Sequence, residues 1–268
     1  MIMHAIRIPG MGIAGTATII MTDPSRRLQN DRVFRSEKPN AEKIAGGAGL
    51  VRLMTWLSPS FPVGAYSYSH GLEWAVETGA VTSEIQLTDW VGDLLRHASG
   101  WSDGVLFAEA WRAARINDID RIVEIAELAE ALAPSRERHL ETMAQGEAFL
   151  KASAPWPDAV STGLAERGAR LAYPVAVAVK AAGHDIALLD ALAAYLHGFS
   201  ANLVSAAVRL VPLGQTDGLK ALAALEPVIL AVAGEAAEAG LDLIGGAGFA
   251  SDIAAMKHET QYTRLFRS

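Results

Sequence analysis

The chain has 268 residues, 51% of them apolar and 20% charged, enough for one hydrophobic core or two small ones. Its net charge of -7 argues against a globally basic nucleic-acid binder, and abundant alanine with only 7% aromatics favours closely packed helices. The absence of cysteine removes disulfides, iron–sulfur clusters, thiolate zinc sites and cysteine nucleophiles, and suits a reducing cytoplasm.

Residues 1–48 hold seven Lys and Arg against four Asp and Glu and show no sustained period, so a disordered N-terminal extension is expected there, with the domain at 49–268. The remaining 16 basic and 26 acidic residues leave the body at -10, a balance that suits cationic partner surfaces. Within the extension, Gly10-Met11-Gly12-Ile13-Ala14-Gly15 matches G-x-G-x-x-G. Pro9 precedes it, the β-branched TATII follows where a helix should begin, and no βαβ alternation surrounds it, so a dinucleotide site is not expected. No apolar run reaches the roughly 18 residues of a membrane span. LAYPVAVAVKAAG is broken by Pro174 and Lys180, and no A-x-A cleavage site follows the mildly apolar start, so neither a span nor a signal peptide is expected.

From Leu50 the pattern is helical. LVRLMTWL stops at Ser58-Pro59, the turn-rich SPSFPVGAY follows, and SYSHGLEWAVETG resumes helical spacing up to Gly79, a C′ residue. Ser83 and Gln86 form a capping-box pattern ahead of Leu87, Trp90, Val91, Leu94, Leu95 and Ala98, one face of an amphipathic helix. DGVLFAEAWRAARIN continues in kind. Asp118 caps DRIVEIAELAEALA, which Pro134 stops, and Ser135 caps RERHLETMAQGEAFLK. The prolines of SAPWPDAV mark a loop. YPVAVAVKAAGHD would suit a buried strand by its valines, but its helical neighbours favour a helix. Asp185 is expected to cap a long helix that ends at Pro212, with a seam through Leu189, Leu192, Leu196, Phe199, Leu203 and Ala207. Another runs from about Gly218 to Glu238 with a kink expected at Pro227, GLDLIGGAGFAS is a loop, and DIAAMKHETQYTRLFRS closes the chain. The expected architecture is all-α, a single-domain irregular bundle of about eight to ten helices.

The search for chemistry yields little. The histidines form no H-x-x-x-H, and His258-Glu259 lacks the second histidine of H-E-x-x-H. There is no P-loop, and Gly214-Gln215-Thr216-Asp217-Gly218 reads better as a turn with Thr216 or Asp217 as cap. Ser67-Tyr68-Ser69-His70-Gly71 lacks the first glycine of a nucleophile elbow; Ser67 or Ser69 reads as a helix cap, with Glu73 favoured in the first turn. Asn202, Ser205 and Arg209 form a polar stripe, which reads as a solvated face ending in an arginine near the helix C-terminus. At the tail, a helix would put His258, Tyr262 and Leu265 or Phe266 on one side. Spacing alone leaves two readings open, an end helix docked on its own core or an exposed interface.

Three segments, LMTWLSPSFPVGAYSYSHGLEWAVETGAV, AAVRLVPLGQTDGLKAL and KHETQYTRLFRS, in this order and spacing resemble the urease accessory protein UreF family from about Leu50 to Ser268. Ala65 stands where a second glycine is common, and His70 where glutamine is common. The resemblance implies a cytoplasmic, non-catalytic, all-α protein that dimerises and binds the accessory protein UreD (UreH). That complex recruits the GTPase UreG and docks on apo-urease, with nickel in transit rather than stably bound, and neither nucleic acid nor membrane involved. It implies a UreD contact at His258, Glu259, Tyr262, Arg264, Leu265 and Phe266. It also implies a motif surface facing the GTPase or a transit path, carried by Phe61, Pro62, Gly64, Tyr66, Ser69, Gly71 and Glu73 with Arg209 and Gln215. Two alternatives are a helical adaptor outside urease maturation, and a helical metallohydrolase that uses His70 and Glu73.

Overall fold

Ala41, Glu42 and Lys43, good helix formers, start helix α1 (Ala41–Trp56), so helix is already present before residue 49. The computed structural model describes residues 41–267, with side chains from Gly47 onward. The remainder of the expected extension, including the Gly10–Gly15 motif, lies outside the described residues. α2 (Leu72–Glu77), α3 (Glu84–His97), α4 (Ser99–Arg115), α5 (Ile119–Ala131), α6 (Arg136–Ala152), α7 (Ala159–Glu166), α8 (Tyr173–Gly183), α9 (Leu188–Leu210), α10 (Gln215–Glu238) and α11 (Phe249–His258) follow. No strand occurs among the described residues.

Short-range capping fixes several starts. Ser83 Oγ accepts the Gln86 N–H at 3.3 Å, while Gln86 Oε1 reaches back to the Thr82 N–H at 2.9 Å, one residue short of a reciprocal box. Asp118 and Ser135 accept from Arg121 and Arg138 as their spacing predicts. Asp185 does not cap α9. It sits at φ 56 just beyond α8, a conformation that aspartate tolerates, and pairs with Arg115, while α9 starts after Ala187 without a side-chain cap. α10 begins at Gln215 rather than near Gly218 because Asp217 Oδ2 accepts the Gly214 N–H at 3.3 Å and draws that turn into the helix, which then runs through Pro227.

The centre is α8, buried from Pro174 to Ala182 and packed on α4, α6, α7 and α9. Burial on every side explains why its sequence shows no amphipathic period. α9 is long and apolar enough to cross a membrane by length and composition alone, but it packs against α10, α4 and α8, and half of its apolar window is buried within the fold. Close approach is steep in places: a Cβ on Gly146 of α6 would lie 1.9 Å from the Leu171 carbonyl oxygen.

A buried ion pair sits beside α7 in this core. Lys180, 3% exposed, donates to Asp158 Oδ2 at 2.7 Å and to the Trp156 carbonyl. Burial pushes the Asp158 carboxyl up, but the Lys180 ammonium and the Ser161 N–H outweigh it and hold the group below the usual carboxylate range. Its contribution to stability is therefore present above the ordinary carboxylate pKa and is lost as pH falls through the lowered native value. Lys180→Ala leaves Asp158 with an uncompensated buried charge and is expected to cost about 3 kcal/mol in urea unfolding; a loss within error of zero would show that water reaches the pair.

Candidate functional site

The turn-rich stretch between α1 and α2 and the chain end fold onto each other. A 3-10 turn at Ala65–Ser67 follows Gly64 at φ 77, and His70 and Gly71, at φ 55 and 76, swing the chain into α2. Gly71 is required here. A Cβ would meet the Ala255 nitrogen at 2.6 Å, so α2 and α11 are in backbone contact. The expected helical register of the tail stops at His258; a turn at 259–260 follows, and residues 261–267 are irregular. Their N–H groups are taken by other partners: Arg267 N–H donates to the Ser67 carbonyl at 2.7 Å, and those of Leu265 and Phe266 donate to the two Glu73 oxygens at 2.7 and 2.9 Å.

Glu73 therefore lies inside, 5% exposed, rather than on a motif surface. Its Oε2 also meets His258 Nε2 at 3.0 Å. The opposite ring nitrogen meets Glu137 Oε2 at 2.7 Å, and Arg264 closes on the other Glu137 oxygen at 2.7 Å. Glu259 accepts the Arg136 N–H at 2.9 Å and so caps the start of α6. His258, fully buried, thus sits between two carboxylates that fix α11 to α2 and α6. Glu137 has no signature in the sequence, since it stands 121 residues from the histidine it meets.

Arg209 joins the same cluster. Its guanidinium lies 4.5 Å over the Phe266 ring and donates to the Tyr66 carbonyl at 3.0 Å, while Asn202 donates to the Tyr68 carbonyl at 3.2 Å. The polar stripe of α9 grips the turn rather than facing only water. Of the expected tail contacts, His258 and Phe266 point inward and Glu259 is half-buried, while Arg264, Leu265 and a fully exposed Tyr262 face outward. Of the motif residues, Pro62, Tyr66, Arg209 and Gln215 are exposed, Phe61 and Gly64 are half-buried, and Ser69, Gly71 and Glu73 are buried.

Beneath the turn lies a cavity of about 240 Å³ whose wall includes Phe61, Val63, Tyr66, Tyr173 and Phe199. His70 lines it, with Nε2 2.7 Å from Glu141, which also takes Arg138 and Gln145. Burial, followed by the Arg138 charge, holds the His70 imidazole below its usual pKa. Burial raises the Asp103 carboxyl to about 6 although Tyr195 donates to it at 2.8 Å. Asp103, Arg138 and Thr142 also bound a second cavity of about 240 Å³, so the two share a polar wall. His70 and Glu73 serve different partners, and no group of three or more His, Cys, Asp or Glu among the described residues is placed to hold a metal ion.

Carboxylates of α2 and α6 that bind residues 258–266, with Tyr262, Arg264 and Leu265 turned outward, complete a fold that is all-helical among the described residues. The UreF family model matches residues 81–226. Urease accessory protein UreF of Rhodopseudomonas palustris is 52% identical over 232 residues, covering 86% of this chain and 98% of the relative. That of Mesorhizobium japonicum is 54% identical over 220 residues, 82% of this chain and 96% of the relative. The chain belongs to the UreF family of urease accessory proteins.

Proposed function

We propose that the chain is a cytoplasmic, non-catalytic accessory protein that works as a homodimer in activating apo-urease. Its C-terminal tail docks on UreD (UreH), and the surface around Tyr66, Arg209 and Gln215 recruits the GTPase UreG. Nickel passes in transit, held stably by no site on this chain. The observation that carries the reading is the tail itself. The buried Glu73 carboxylate secures its backbone while Tyr262 and Leu265 project into solvent beside Arg264, an aromatic, aliphatic and basic composition that suits a covering partner.

Complementation of a urease-negative deletion strain tests it. The wild-type chain is expected to restore urease activity and urease nickel content. Arg209→Ala removes the guanidinium that bridges the Tyr66 carbonyl and the Phe266 ring and is expected to lower activation about tenfold or more. Arg209→Lys keeps the charge but not the planar stacking, and is expected to recover only part. Full activation by Arg209→Ala would remove Arg209 from the functional surface, and normal urease in the deletion strain itself would place the chain outside urease maturation.

A further inference from the structure

We infer that Glu73 is the positioning residue of the C-terminal segment: it touches no partner, and its carboxylate sets the path of the tail so that Tyr262, Arg264 and Leu265 are presented as one preformed surface. The inference rests on the tail being the UreD-docking element.

A carboxylate offers about four lone-pair directions and accepts only. Glu73 directs its two oxygens at three donors, the Leu265 N–H, the Phe266 N–H and His258 Nε2. Two of these are successive backbone amides of a segment with no helical ladder of its own. Without that acceptor they would have to turn to water, and Phe266 would leave its place under Arg209. The residues on either side of the anchored pair are Arg264, which reaches Glu137, and Arg267, which pairs with Ser67. Four consecutive residues are thus tied to α2, α6 and the 3-10 turn, while the Leu265 and Tyr262 side chains remain exposed. Pinning the backbone in advance lowers the entropy that a partner must overcome to order it, the ordinary route by which a buried residue governs affinity at a surface it does not reach.

The test compares four proteins in capture by purified UreD: the full-length wild type, full-length Glu73→Gln, a truncation after Glu259, and the truncation carrying Glu73→Gln. The truncation tests the docking reading, and Glu73→Gln tests the inference. Glu73→Gln nearly keeps the volume but replaces one acceptor oxygen by a donor, so it is expected to weaken capture about tenfold or more, with the far-ultraviolet CD spectrum unchanged. In the truncated chain, the same substitution is expected to cause no further loss, because a residue that acts through the tail has nothing left to act on. Hydrogen exchange of the Leu265 and Phe266 amides is the second readout, expected to quicken about tenfold or more in Glu73→Gln. Glu73→Asp, which keeps the buried charge but withdraws its oxygens, is expected to move both readouts in the same direction. Capture lost on truncation but kept in Glu73→Gln, with unchanged exchange, overturns the inference and leaves the docking reading standing. Capture kept on truncation overturns the docking reading, and exchange then decides separately whether Glu73 orders the tail. A further loss on adding Glu73→Gln to the truncated chain overturns the claim that it works through the tail.

Discussion

Gly71→Ala is expected to detach α11 and the residues after it while leaving the central helices folded. Gly71 occupies φ 76, where a side chain costs about 1–2 kcal/mol, and its new Cβ would lie 2.6 Å from the Ala255 nitrogen and 3.0 Å from Ala254. Those neighbours are backbone and an alanine Cβ, so no side-chain rotamer relieves the clash. The total penalty is about 3 kcal/mol or more, concentrated on the contact between α2 and α11. That contact also orients Glu73 and His258, so both carboxylate bonds to the histidine loosen with it. Limited proteolysis is expected to cut between Gly245 and Thr260 many times faster than in the wild type, with most of the helical CD signal retained. Gly79→Ala is the control: Gly79 has the same φ of 76 but nothing within 4 Å of its Cβ, so it carries only the backbone cost. Equal protease sensitivity in the two variants would show that strain, not the close approach of α11, sets the fold of this end.

What the sequence makes legible here is what its physics keeps local. Caps at Ser83, Asp118 and Ser135 bond to amides three residues on, and a three-residue pattern suffices to place them. Asp185 offers the same residue type and still fails as a cap, because it sits at φ 56 in the turn that ends α8, not in the extended backbone typical of a cap, and α9 starts only after Ala187. α8 is read as a helix only from its neighbours, since complete burial erases its period. The site is harder. Resemblance marks the stretch after α1 and the chain end as functional but treats them as two surfaces. Their union runs through bonds spanning 192 and 193 residues, between a glutamate and backbone amides that have no side-chain signature. Helical spacing also mispairs Tyr262 with Phe266. Once the tail leaves the helix, its period no longer applies, and the Phe266 ring is buried while that of Tyr262 is fully exposed.

Removal of the tail is expected to have the largest effect on assembly, provided the cut spares His258. Deleting residues 257–268 takes away His258, which joins Glu73 of α2 to Glu137 of α6, so loss of UreD binding there would mix docking with misfolding. Truncation after Glu259 keeps the histidine and the Glu259 cap on α6. It removes the amides on Glu73, the Phe266 ring under Arg209 and the exposed Tyr262 and Leu265. Phe266 is the main apolar loss, and burying a phenylalanine is worth about 2 kcal/mol, so global stability should fall modestly while helix content stays. Capture by UreD is expected to fall about a hundredfold or beyond detection, as it does when the central anchors of an interface are removed. The paired substitution Tyr262→Ala with Leu265→Ala separates contact from scaffold, since both side chains lie in solvent and both backbone bonds to Glu73 survive the change. It should reproduce most of the loss in capture with no change in thermal unfolding. Wild-type capture by that double variant, beside a truncation that fails, would move the contact from the outward side chains to the rest of the docked segment.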